Sequence, residues 1–177
     1  MKKLTILTAI LIAFCSCTQQ AEAPVKELDE TAKQTIEVVK KLIAAYEAED
    51  MEAIKTLYAP GAVSVGPRHH DMDTVDAEMY KDMEAWFASV DSMKYDVITI
   101  LYESGDEGDL AGDWALVWAD VSWYSVKADK TLKVMWHSPM RIENGQVVYE
   151  VSYVNQWDLY EQMGAELKWD DDDEDDD

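Results

Sequence analysis

The amino-acid sequence predicts an α+β fold, because the hydrophobic period changes along the chain. From Asp29 to about Val90 apolar residues recur every three to four positions; from Lys94 to Gln156 they alternate. Within the alternating half, Asn144-Gly145 separates two runs rich in β-branched and aromatic residues, the strongest local hairpin signal in the chain. Helices first and an antiparallel meander second define α+β rather than a βαβ arrangement. With 177 residues, 48% of them hydrophobic, the chain suits one compact domain with tails.

The amino terminus reads as a leader. Lys2 and Lys3 precede an apolar run from Leu4 to Phe14, too short to span a bilayer and laid out as a secretory signal. It closes on Phe14-Cys15-Ser16-Cys17. Signal cleavage needs a small residue before the cut, so Ser16 favours cutting before Cys17, and Phe14 disfavours cutting before Cys15. The stretch resembles a bacterial lipobox, with Phe14 where leucine is usual. That resemblance implies a signal over 1–16, a lipid on Cys17, and a cell-envelope protein that reaches the membrane through acyl chains. Thr18, rather than aspartate, at the next position points to the outer membrane. Cys15 would leave with the signal, so no thiol would remain for a disulfide, a metal or nucleophilic work.

Losing Lys2 and Lys3 takes the formal net charge from −22 to −24. So acidic a body argues against nucleic acid as a partner. Residues 17–28 read as a polar tether. Residues 169–177, "WDDDDEDDD", form a like-charged run that cannot bury itself, and a disordered acidic tail is expected there. The folded domain is placed at 29–168.

Within it, Ile36, Val39, Leu42, Ile43 and Tyr46 share one face of a first helix over Asp29–Ala48. A short second helix starts at the cap Asp50 and stops before Pro60. A short strand near Ala62–Val65 leads into the loop containing His69, His70 and Asp71. Asp73 or Thr74 is expected to cap a third helix reaching about Val90, with Met79, Met83, Trp86 and Phe87 on its apolar side. Strands are expected over 94–103, 114–126, 131–142 and 146–156.

"AAYEAEDMEAIKTLYAPGAVSV" and, downstream, "MRIENGQVVYEVSYVNQWDLYEQMG" resemble segments of the nuclear transport factor 2-like superfamily. That group includes ketosteroid isomerases, scytalone dehydratase and SnoaL-like polyketide cyclases. The resemblance covers about residues 30–165. It implies three amino-terminal helices packed in the concave face of a curved, mainly antiparallel sheet, a cone with a pocket at its wide end. It also implies where ketosteroid isomerases keep their catalytic groups. Matching segments puts the base near Gly66, the wall acid near Ser138 and the tyrosine near Leu42, none of which suits that chemistry. In SnoaL-like enzymes the working groups are Asp or His, which leaves His69 or His70, with Asp73, as the catalytic candidates.

Two-residue turns at Ala128-Asp129 and Asn144-Gly145 would set the face of each strand residue. They place Trp123, Trp136, Tyr149, Tyr153 and Asn155 inward. With Tyr46 and Trp86 from the helices, these form the expected ligand-binding set. The same register places Asp120, His137 and Ser152 in one outward row and Trp118, Pro139 and Glu150 in another. An outer face carrying Trp118, Tyr124, Met135 and His137 is too aromatic for plain solvation, so a homodimer through it is expected. No cofactor and no metal site is expected: adjacent His69 and His70 do not reach one ion without help. The favoured function is a non-catalytic envelope lipoprotein whose pocket binds a small, apolar or sugar-like molecule. The alternatives are a SnoaL-like enzyme for proton transfer, isomerisation or dehydration, and a protein-interaction module.

Overall fold

The computed structural model describes residues 27–68 and 72–167. The signal, Cys17, His69, His70 and the acidic tail therefore lie outside the described residues. Helix α1 (Glu30–Glu47) is capped by Asp29, whose carboxylate accepts from the Ala32 amide at 2.8 Å. Its buried face, Val38, Val39, Leu42 and Ile43, is the central apolar stripe of the core. Helix α2 (Met51–Leu57) starts at the expected cap, Asp50, and buries Ile54 completely. Helix α3 (Ala77–Phe87) begins later than the sequence suggests. Asp76 is its cap, because Asp73 and Thr74 are held in strand β2 (Met72–Thr74) against β1 (Tyr58–Val65).

The remaining strands are β3 (Val90–Gly105), β4 (Gly112–Ser125), β5 (Lys130–Glu143), β6 (Gln146–Val151) and β7 (Tyr153–Val154). Their order is β2-β1-β6-β5-β4-β3, with β7 pairing β5. Among the described residues only the β1–β6 pairing is parallel. The helices α1 to α3 and one face of this sheet enclose the core, so the expected α+β architecture is present. The described residues hold four α-helices, not three. The fourth, α4 (Gln156–Gln162), follows the last strand, and Asn155 is its cap, accepting from the Asp158 amide at 3.3 Å.

Two turns set the faces of the sheet. Asn144 and Gly145 sit at φ 51° and 78°, the left-handed pair that a tight hairpin demands. The β4–β5 loop is longer than expected: Ser125 pairs with Lys130, leaving four residues in the turn instead of two. Lengthening by two keeps the parity, so Ala119, Val121, Val134, Trp136 and Met140 face inward as expected.

Beyond the hairpin the parity breaks. Ile142 pairs with Val147, but Arg141 pairs with Tyr149 and Met140 with Glu150. Val148 is the extra residue of a β-bulge. Everything after it is turned over relative to a regular hairpin. Glu150, expected outside, is 7% exposed and faces the core, whereas Tyr149, expected inside, lies on the outer face against Trp114. Tyr153 is likewise outside, 55% exposed and paired with His137.

Candidate functional site

Between α1 and the inner face of β3, β5 and β6 lies a cavity of about 160 Å³. Leu42, Ile43 and Met140 supply its apolar lining; Tyr46, Tyr95 and Trp136 supply rings; Glu150 and Ser152 supply polar atoms. Each comes from an element already accounted for. Leu42, Ile43 and Tyr46 lie on the buried face of α1, and the bulge delivers Glu150 and Ser152. Tyr95 meets Trp136 edge to face, with centroids 5.4 Å apart and planes at 77°. Tyr46 is tilted against Tyr95 at 6.4 Å. The Trp136 Nε1–H donates to Ser152 Oγ at 3.3 Å, which satisfies the indole and leaves its ring for the cavity.

Glu150 is the one acid among the described residues that sits in the core. Tyr58 donates to its Oε2 at 2.8 Å and Ser64 to its Oε1 at 2.7 Å. The Tyr46 and Tyr58 hydroxyls lie 3.4 Å apart, which extends the chain from Glu150 to the cavity wall. Burial pushes the Glu150 carboxyl above the ordinary glutamate range, and the two hydroxyl donors hold it back only in part. Burial, and then the adjacent Glu150 charge, push the Tyr46 and Tyr58 hydroxyls well above the usual tyrosine range. Tyr46 is half-buried as a residue, with its hydroxyl sunk among protein atoms. The same two causes raise Tyr95. All three tyrosines therefore stay protonated around the buried acid.

A second, larger concavity of about 770 Å³ opens on the outer face, lined by Leu110, Trp114, Pro139, Arg141, Tyr149 and Tyr153 among others. We place the candidate site in the smaller space. Its rings and carboxylate are withdrawn from water, where electrostatic and hydrogen-bond interactions are strongest. The acids of the outer concavity, Glu103 and Asp109, are exposed.

Of the residues expected to bind a ligand, Tyr46 and Trp136 line the cavity. Trp86 and Trp123 pack against each other with centroids 6.4 Å apart and are not among its lining residues, and Trp86 is 38% exposed. Tyr149 and Tyr153 are on the opposite face, and Asn155 is an exposed helix cap. Asp73 is exposed on the edge strand β2, and His69 and His70 lie outside the described residues. The Asp120–His137 row does not form. His137 is stacked between Trp118 at 4.1 Å and Tyr153 at 5.8 Å, with Nδ1 2.8 Å from the Val117 carbonyl, while Asp120 faces Lys133 at 3.3 Å. Sequence reasoning missed Glu150, Tyr58, Tyr95 and Ser64. The available signal was a lone glutamate, the one charged residue in the run "VVYEVSY".

Among the described residues no His, Cys, Asp and Glu cluster could hold a metal ion.

The helices, the curved sheet and the pocket between them define a domain of the nuclear transport factor 2-like type. The SnoaL-like domain model matches residues 39–150, and the chain belongs to that family. None of the curated proteins matches the chain. Solved structures do. A protein from Jannaschia sp. CCS1 assigned as a SnoaL-like polyketide cyclase is 14% identical, with a TM-score of 0.67 over 80% of this chain and 99% of that one. A protein from Bacillus subtilis assigned as an isomerase is 13% identical, with a TM-score of 0.62 over 76% and 96%. An epoxide hydrolase of M. tuberculosis is 11% identical, with a TM-score of 0.59 over 75% and 90%. At these identities the likeness shows the fold.

Proposed function

We propose that this SnoaL-like domain binds a small molecule in the cavity between α1 and the sheet, with Glu150 as its polar anchor. The observation that carries this is the buried carboxylate at a wall otherwise built of Leu42, Ile43, Met140 and three aromatic rings. An apolar enclosure with one or two placed polar groups is how small-ligand sites are made. Native mass spectrometry of the full chain, purified in mild detergent, tests it. A bound mass that disappears in Glu150→Gln supports the reading. An unliganded protein whose Trp136 signals ignore a panel of small aromatic and aliphatic compounds sinks it.

A second reading is favoured by the raised Glu150 carboxyl: the same cavity performs proton transfer, with Glu150 as general base. Burial makes its carboxylate more basic, Ser64 and Tyr58 orient it, and the proton taken from a substrate carbon or hydroxyl would reside on a carboxyl oxygen before return. An isomerase and an epoxide hydrolase among the structural neighbours fit this reading. Deuterium exchange into a bound substrate, abolished by Glu150→Gln while binding persists, separates it from simple capture.

We further propose that Cys17 carries the acyl chains that hold the domain at the cell envelope, and that two copies pair through their outer sheet faces. The lipobox-like sequence motivates the first: Cys17→Ala should abolish labelling by a palmitate analogue, and loss in Cys15→Ala instead would refute it. For the second, the exposed Met135 and the stacked Trp118–His137–Tyr153 rings are the support. Sedimentation in detergent at low and high salt tests it, since screening should strengthen association of two acidic bodies. A monomer in both would end the proposal.

A further inference from the structure

The cavity's rings and its carboxylate together have a chemistry of their own. Tyr46, Tyr95 and Trp136 stand in series around the space, with Trp136 and Tyr95 meeting at 77° to make two walls of a corner. Glu150 faces the same space, and among the described residues its carboxylate is held by the Tyr58 and Ser64 hydroxyls. Among the described residues no lysine, arginine or histidine lines the cavity, so a carboxylate or phosphate would enter without a counter-charge from them. A neutral guest would leave the buried charge as it stands. A guest carrying diffuse positive charge would gain twice, from the negative faces of the rings and from the carboxylate. The formal net charge of −22 draws cations toward the surface and disfavours anions.

Size narrows the class. The 160 Å³ space is close to the cavity of about 150 Å³ that takes one benzene molecule. A trimethylammonium group is of that order; a polycyclic skeleton is far larger. The carboxylate also needs a partner that does not demand dense hydration. A primary ammonium is strongly hydrated and would lose water on entering among Leu42, Ile43 and Met140. A methylated ammonium presents apolar methyl groups to those side chains and spreads its charge over them.

We propose that the cavity recognises a small methylated ammonium compound, held by the Tyr46, Tyr95 and Trp136 rings and by the Glu150 carboxylate. This deepens the small-molecule reading above and rests on it. Choline and 3,3-dimethylbutan-1-ol make the test, because they have nearly the same shape and differ in the charge at one atom. The full chain, in detergent and labelled with 5-fluorotryptophan, is titrated with each while the fluorine resonance of Trp136, assigned by Trp136→Phe, is followed. Choline should bind at least tenfold tighter than the alcohol. Glu150→Gln should weaken choline at least tenfold and leave the alcohol within a factor of two. Tyr95→Leu should weaken choline more than the alcohol, and thermal melts establish that each variant is folded. Equal affinities for the two compounds in the wild type would overturn the proposal, as would binding of the alcohol alone or of an unrelated neutral aromatic such as phenol alone. In each of those three outcomes the cavity reading survives. If no compound of either kind moves the Trp136 resonance, both readings fall.

Discussion

Strand β5 shows two surfaces one residue apart. Trp136 faces inward, its indole bonded to Ser152 and its ring against Tyr95; His137 faces outward, sandwiched between Trp118 and Tyr153. The inner face is held by a hydrogen-bonded chain around a buried acid, the outer face by stacking of half-exposed rings. Aromatic residues are common to both. The difference lies in water. Where it is excluded, each polar atom needs a protein partner and a lost partner is costly. Where it has access, rings can stack and part with little consequence.

This contrast is open to test by mutation. The largest effect belongs to Tyr58, 2% exposed and bonded to Glu150. Tyr58→Ala should cost about 3–5 kcal/mol of unfolding free energy in urea titration, as large-to-small changes at buried aromatics do. A loss below 1 kcal/mol would mean that the inner face is not tightly packed. Tyr58→Phe keeps the ring and removes one donor from Glu150, and should cost roughly 1–3 kcal/mol. It should also push the Glu150 carboxyl higher, because the hydroxyl is one of the two groups holding it down.

Glu150→Gln probes the same acid through pH. Its folded value lies above its unfolded one, so the folded state keeps the proton longer. The stabilisation from this group is complete below the unfolded value and is lost as pH rises through the folded value. The wild type should therefore lose stability relative to Glu150→Gln across that window, by no more than about 1.4 kcal/mol per pH unit for a single proton. A stability difference independent of pH would show that the acid is not shifted. On the outer face, Trp118→Ala removes one stacking partner of His137 and should cost roughly 0.5–1.5 kcal/mol in a monomer. If it matches Tyr58→Ala, the two faces are not different in kind.

How far the sequence reached follows the same physics. Periodicity located the three amino-terminal helices and the long strands, because burial of one face imposes it. The cap Asp50 was legible, since a carboxylate before an apolar run has one obvious use; Asp29 was read only as the start of its helix. The error in the β4–β5 turn did no harm: two extra residues preserve parity, so Trp136 stayed inward. The error beyond Arg141 was consequential, because one extra residue does not. No residue type marks Val148 as a bulge, and the side chains after it, Tyr149 to Tyr153, are amphipathic enough to suit either face. Candidate residues read from β5 and α1 therefore reached the cavity, whereas those read from beyond the bulge landed on the wrong side or in α4. The acid was overlooked because a glutamate on a regular strand would have faced solvent.

Val148 thus has a meaning beyond geometry. In the coding sequence it is one triplet. Loss of that triplet, with every other codon unchanged, would restore a regular hairpin in which Tyr149 still stands opposite Arg141 and Glu150 opposite Met140, so the acid would stay inside. A lineage could acquire or discard the bulge by insertion or deletion at this point without moving the interior acid. Relatives compared column by column would show a one-residue gap beside the hairpin and the same glutamate in the same surroundings.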